Sequence, residues 1–271
     1  SISCDDFLDK KPESQIPPES YFRTEDQLAT FVLSRYGVLP THSNTTGFGV
    51  FGVDQHTDNQ AYIDYNNRFI PGEWKVGETG GNWSFDVIFE LNYFFENTIP
   101  KWEAGEITGV GENIKHYIGE AYFLRAFEYF KKLETIGDFP ILTKTLPDEQ
   151  SALTEASKRA PRSEVARFIL ADLDKAISLL KTASPDGKKN RISRYSAYLF
   201  KSRVALFEAS WLTNFKGTAF VPNGPGWPGA EKDYNANYQY QAGSIDQEIQ
   251  WLLSESMAAA LSVTENISLE D

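Results

Sequence analysis

The run NIKHYIGEAYFLRAFEYFKKLETIG, residues 113–137, constrains the fold more than any other feature of the chain. Ile114, Tyr117, Ile118, Ala121, Tyr122, Phe127, Phe130 and Leu133 form a broad apolar face at helical spacing, and the pattern stops at Gly137. Two later stretches follow the same rule. RSEVARFILADLDKAISLL has Ser163 as a natural N-cap and a stripe of Val165, Phe168, Ile169, Leu173, Ala176, Ile177 and Leu180. ISRYSAYLFKSRVALFEASWL starts at Ser193 and carries Ala197, Phe200, Val204, Phe207 and Trp211. Small residues (Ala121, Ala126, Ala197, Ala205) stand where neighbouring helices must approach closely. The pattern predicts a mostly α fold of antiparallel helix pairs stacked like tetratricopeptide repeats, although no clean 34-residue period is visible.

The remaining segments are organised around these helices. Residues 5–22 read as an irregular, proline-containing arm, and a capping box of Thr24 and Gln27 opens a helix carrying Leu28, Phe31, Val32 and Tyr36. Residues 40–83 lose helical periodicity and are rich in Gly, Asn, Asp and aromatics. A helix is expected from Trp83 to about Asn97, and a last one from about Asp246 to Thr264. Between the last two helices lies NFKGTAFVPNGPGWPGAEKDYNANYQYQAGS, a long Gly/Pro/Asn loop holding Phe215, Phe220, Trp227, Tyr234, Tyr238 and Tyr240. Loops of this length in compact domains are usually functional or disordered, and dense rings argue against simple disorder. The expected organisation is an arm over residues 1–22 and one helical domain over residues 23–271 with long, irregular, aromatic-rich loops.

Several function classes are excluded or disfavoured. A formal charge of −12 argues against a nucleic-acid partner, and the one basic cluster (Lys188, Lys189, Arg191, Arg194) reads as a solvated loop. Cys4 is the only cysteine, which excludes a disulfide framework and any cysteine-based metal cluster. No apolar run reaches the roughly 18 residues of a membrane span. GFGVFG at 47–52 matches a dinucleotide fingerprint in letters only, since a polar stretch precedes it and a loop follows. Asp233, Asn235 and Asn237 begin like a calcium loop, but Tyr238 and Ser244 occupy the positions of its Gly and closing Glu. His116 and Glu120 read as a surface pair. Asp172 and Asp174 diverge on their helix and cannot act as paired acid and base. No catalytic residue, metal site or cofactor is expected.

Three stretches of the helical half resemble the SusD/RagB family of outer-membrane nutrient-binding lipoproteins. GEAYFLRAFEYFKKLETIGDFPIL matches at Glu120, Leu124, Arg125, Ala126, Tyr129, Gly137, Asp138 and Pro140. RAPRSEVARFILADLDKAISLL matches at Arg159, Val165, Ile169, Asp172, Leu173 and Ala176, and NRISRYSAYLFKSRVALFEAS at Arg191, Ala197, Lys201, Arg203 and Val204. CDDFLDKKP and Thr57–Asn59 extend the resemblance over nearly the whole chain. It implies that Cys4, followed by Asp5, Asp6 and Phe7, carries lipid, so that the arm is a tether to the outer membrane at the cell surface. Trp83, Ile88 and Asn92 are spaced more closely than the family's early Trp-Tyr-Ile-Asn pattern, so the role of its Trp does not transfer directly. Family members usually continue into a loop-rich C-terminal region, which the resemblance implies is missing here.

The resemblance further implies a non-enzymatic protein that caps a SusC-like TonB-dependent outer-membrane barrel and passes an oligosaccharide to it. Flat aromatic faces stack on sugar rings while Asn, Asp and Arg hydrogen-bond the hydroxyls. On this reading Asp58, Asn59, Tyr62, Tyr65, Asn66, Asn67 and Arg68 are candidate ligand-binding residues. Trp74, Trp83, Trp227, Tyr234 and Tyr238 are candidates as stacking platforms. An oligopeptide-binding lid of a RagB-type importer is the alternative, and a surface glycoside hydrolase, which needs a carboxylate pair in a cleft, is a further one.

Overall fold

The computed structural model describes residues 20–41, 83–147 and 149–268. Over these residues the chain is a layered stack of helices: α1 (Glu25–Ser34), α2 (Asp86–Glu103), α3 (Gly111–Thr135), α4 (Gln150–Ala156), α5 (Arg162–Leu179), α6 (Arg194–Phe215) and α7 (Ile245–Thr264). The only β-type pairings among the described residues are two isolated bridges, Thr24 with Thr108 and Phe139 with Ala160. The mostly helical expectation holds.

Local chemistry accounts for most of the helix starts. Thr24 and Gln27 form the expected capping box, Oγ1 of one accepting from the amide of the other at 3.3 Å and the glutamine side chain reciprocating. Ser193 and Ser244 cap α6 and α7 by accepting from Ser196 N and Gln247 N. Ser163 does not cap α5. The cap lies two residues earlier, at Pro161, and the helix starts at Arg162, because Pro161 fixes the entry backbone and Asp138, from another segment, accepts the Arg162 amide at 2.8 Å. Ser163 is buried inside the first turn. Helix α2 is also displaced from the expected span: Trp83 lies before it, and it runs past Asn97 through Pro100 to Glu103. Ile99 and Trp102 pack on the core, and a proline near a helix end forfeits one hydrogen bond rather than a continuing ladder. The short α4 has no strong periodicity and is not legible in the sequence.

Helix α3 is the centre of the stack. It runs antiparallel to α5, since Gly119 meets Ala176 and Leu180 near one end and Arg162 approaches Gly137 near the other. Helix α5 runs antiparallel to α6 (Arg162 with Glu208, Lys201 with Asp174), and α6 to α7 (Lys216 with Asp246, Ser202 with Ser256). These are tetratricopeptide-like antiparallel pairs. Helix α2 covers another flank of α3, with Phe95 stacked on Tyr122 at 4.2 Å.

Buried ion pairs cross the layers. Arg125 of α3 makes a bidentate pair with Asp172 of α5 at 2.7 and 2.8 Å, donates to Asn92 of α2 and lies over the Phe95 ring. Arg167 of α5 pairs with Glu248 of α7 at 2.6 Å. His116 and Glu120 are not a surface pair: both are fully buried, 2.8 Å apart, and Glu120 is shared with Arg191 at 2.7 Å. Arg191 also donates to the Ala29 carbonyl of α1, and Lys181 N donates to His116 Nδ1. Arg194 donates to the Leu180 carbonyl at 2.8 Å. The cluster read as a solvated loop thus puts two of its four cations into the stack, because the loop after α5 folds back over α3 and leaves Lys188 and Lys189 outside.

Candidate ligand-binding site

Where α3 ends, Gly137 adopts φ +87°, a left-handed conformation that glycine takes without penalty, and the chain turns toward α5. Asp138 follows at once. Its Oδ1 accepts the Arg162 amide, and its Oδ2 accepts Trp227 Nε1 at 2.7 Å. One carboxylate therefore joins the end of α3, the start of α5 and the long loop between α6 and α7. Burial raises the Asp138 pKa above the usual carboxylate range, opposed by the Trp227 donor and the Arg162 amide.

The 216–244 loop is fastened by its own polar groups rather than by repeated secondary structure. Trp211 Nε1 donates to the Phe220 carbonyl at 3.0 Å, Asn223 Nδ2 to the Tyr238 carbonyl at 3.0 Å, and Tyr240 OH to the Pro222 carbonyl at 2.8 Å. Asn235 Nδ2 reaches the Arg159 carbonyl at 3.2 Å. Gly229 sits so close to the Trp227 indole that a Cβ there would lie 2.1 Å from the ring. Only glycine at 229 leaves room for the indole.

These contacts enclose a cavity of about 580 Å³ between the end of α3, the segment leading into α5, Trp211 of α6 and the 216–244 loop. Its wall combines the rings of Trp211, Phe220, Trp227 and Tyr234 with Glu134, Asp138, Ser157, Arg159, Lys232 and Asn235. Arg162 forms part of the floor. It lies 4.0 Å above the Trp211 ring and is paired with Glu208, so its charge is already compensated. Glu134 carries no ion pair among the described residues, and burial lifts its pKa, with Arg203 opposing.

The structure separates the sequence-predicted rings by role. Trp227 is only 3% exposed and serves as a wall pinned to Asp138, not as an open platform. Tyr238 lies behind it, ring centres 6.0 Å apart, its hydroxyl against Ser163 and its pKa pushed up by burial. Tyr234 is 39% exposed at the cavity with Lys158 over its ring at 5.6 Å. Trp83 is 41% exposed and lies outside the cavity, joined to it through Arg159, whose guanidinium is 4.6 Å above the indole. Cys4 and the candidates Asp58, Asn59, Tyr62, Tyr65, Asn66, Asn67, Arg68 and Trp74 lie outside the described residues. Sequence reasoning missed Phe220 as a site residue, although it is 61% exposed and lines the cavity, and it missed Glu134, Arg159 and Lys232. Phe220 left a signal as a ring in a Gly/Pro loop, and Arg159 only as a position of the family resemblance.

Metal-binding geometry is not assembled here. Asn235 spends its amide on Arg159, Asp233 accepts from the Tyr234 amide within its own turn, and no group of three or more His, Cys, Asp or Glu among the described residues is placed to hold a metal ion. The same residues contain no helix long and apolar enough to cross a membrane.

Comparison with known proteins decides the family. A family model described as "Starch-binding associating with outer membrane" matches residues 6–206. The chain belongs to the SusD-like family. Its relatives include SusD-like protein P38 of Formosa agariphila, 28% identical over 217 residues, covering 76% of this chain and 39% of that protein. SusD-like protein P25 of the same organism is 23% identical over 232 residues, covering 78% of this chain and 41% of the relative. The SusD-like chain thus spans about two fifths of the length of these relatives. Among solved structures, a SusD-like protein from Bacteroides fragilis aligns with a TM-score of 0.49 and 22% identity, over 74% of this chain and 38% of that one.

Proposed function

We propose that this SusD-like chain is the helical part of a cell-surface glycan-binding lipoprotein, tethered at Cys4, that captures oligosaccharides for a TonB-dependent outer-membrane transporter. The observation that carries the reading is the cavity itself. It combines exposed rings at Phe220 and Tyr234 with side chains able to donate and accept hydrogen bonds, and its volume of about 580 Å³ suits a short saccharide. The family description, starch binding with outer-membrane association, supports the same class of ligand and the same location. The SusC-like partner is the family's expectation. Leu199 and Leu206 on α6 and Met257 and Leu261 on α7 are exposed apolar residues suited to an interface of that kind.

The role proposed is binding rather than catalysis. A glycosidase needs an acid and a base free to exchange protons with substrate. Glu134 and Asp138 both line the cavity, yet both Asp138 oxygens are committed to Trp227 and Arg162.

Titration calorimetry of the chain against a panel of oligosaccharides tests the reading. Phe220→Ala and Tyr234→Ala each remove one stacking face and are expected to weaken binding by roughly 1 kcal/mol or more without unfolding the chain. Saccharide affinity unchanged in both variants, or new reducing ends released from the ligand, would count against it. Purification from native outer membranes with an associated barrel is the separate test of the partner.

A further inference from the structure

The buried arginines of the stack have carboxylate partners: Arg125 has Asp172, Arg162 has Glu208, Arg167 has Glu248 and Arg191 has Glu120. Arg159 is different. Its backbone is held, since its carbonyl accepts from Asn235 and the next residue forms the bridge to Phe139. Its guanidinium is exposed, lines the cavity and donates to no carboxylate among the described residues. What orients it is the Trp83 ring, 4.6 Å from the guanidinium carbon. A guanidinium stacked on an indole keeps its N–H donors at the rim of the plane, where they are free to meet a ligand.

The surrounding charges narrow what such a fork would receive. Asp138 is close enough to Arg159 to feel its charge, but its oxygens already accept from Trp227 and Arg162. Lys232 lines the same cavity without an ion pair to any described residue. Lys158 is engaged by Glu155 at 2.5 Å. Glu134, on the wall formed by the end of α3, would repel an anion placed beside it. The cavity is therefore polarised, with two uncommitted cations and one uncommitted carboxylate. Resting on the glycan-binding reading, we propose that Arg159 is a specificity-determining residue that selects acidic saccharides, its stacked guanidinium receiving an oxyanion substituent in a two-pronged hydrogen bond and Lys232 adding a second positive charge. The oxyanion is the carboxylate of a uronic acid or a sulfate ester, which share this chemistry.

The test is an array of neutral, uronic and sulfated oligosaccharides probed with the wild-type chain, Arg159→Gln and Arg159→Lys, with thermal unfolding confirming that all three fold. Arg159 is exposed and its side chain bonds nothing in the stack, so the fold is expected to survive. The wild type is expected to bind acidic oligosaccharides above neutral ones, and the uronic and sulfated arms identify which oxyanion is read. Arg159→Gln should lose roughly ten- to hundredfold of that affinity. Arg159→Lys, with charge but no fork, should fall between. Binding of neutral oligosaccharides alone, acidic binding that Arg159→Gln leaves intact, or equal losses on neutral and acidic ligands would each overturn the proposal while leaving glycan binding in place. No binding across the whole array would overturn both.

Discussion

Replacing Trp227 by phenylalanine removes one hydrogen-bond donor at the junction on which the cavity depends. The wild-type indole is 3% exposed and donates to Asp138 Oδ2 at 2.7 Å, an acceptor that is charged above its folded-state pKa. A hydrogen bond to a charged group contributes about 1.5–3 kcal/mol, and the emptied edge of the indole site adds about 1 kcal/mol more. The expected cost with the carboxylate charged is therefore about 2.5–4 kcal/mol. The cost should depend on pH in a definite direction. Burial already holds the Asp138 carboxyl above its ordinary range, and the Trp227 donor is the largest effect pulling it back. Without that donor the pKa rises further. A carboxyl with a raised folded-state pKa stabilises the fold fully below its unfolded pKa, and that contribution is lost as pH rises through the folded pKa. The variant loses more over that interval, so its deficit should be greatest near pH 7 and shrink at about pH 3, where a neutral acceptor is worth about 0.5–1.5 kcal/mol. Urea unfolding followed by circular dichroism at both pH values measures it. A deficit below about 0.5 kcal/mol at neutral pH, or one that grows on acidification, refutes the account.

Three further expectations rest on separate contacts. Asp172→Asn leaves the Arg125 charge buried without its partner and should cost about 3–5 kcal/mol, whereas Arg125→Met with Asp172→Leu should recover most of that in a double-mutant cycle; additive losses would contradict the pairing. Gly119→Ala gains about 1 kcal/mol of helix propensity but places a Cβ 3.0 Å from Leu180 Cγ and 3.2 Å from the Ala176 carbonyl. The backbone contact cannot yield easily, so the net change in chemical denaturation should be destabilising by about 1–2 kcal/mol. Ser244→Ala should cost about 1 kcal/mol as a lost cap, and Ser163→Ala should show no capping loss, because Asp138 serves the start of α5. Equal losses at the two serines, by the same measurement, would restore Ser163 as the cap.

Helices α3, α5, α6 and α7 are legible in the sequence because their signals are local: an apolar residue every three or four positions, a serine before a first turn, a glycine after a last one. Those features act within about one turn of the chain and need no neighbour to be read. The layering was legible only as a class, from apolar faces that must be buried and alanines that allow close approach. Which arginine meets which carboxylate was not. Arg125 and Asp172 are 47 residues apart, and Arg167 and Glu248 are 81. His116 was misread for the same reason, since its burial depends on a loop folding back from Arg191.

In the site, sequence marked the aromatic loop as worth building around but could not say which rings face ligand. Trp227 and Tyr234 stand in the same Gly/Pro/Asn stretch, and nothing local distinguishes them. The tertiary structure does, because Asp138 lies opposite the Trp227 nitrogen while Tyr234 faces the open cavity. Whether a ring is wall or platform depends on what lies across from it, and in this chain the deciding residue is 89 positions away.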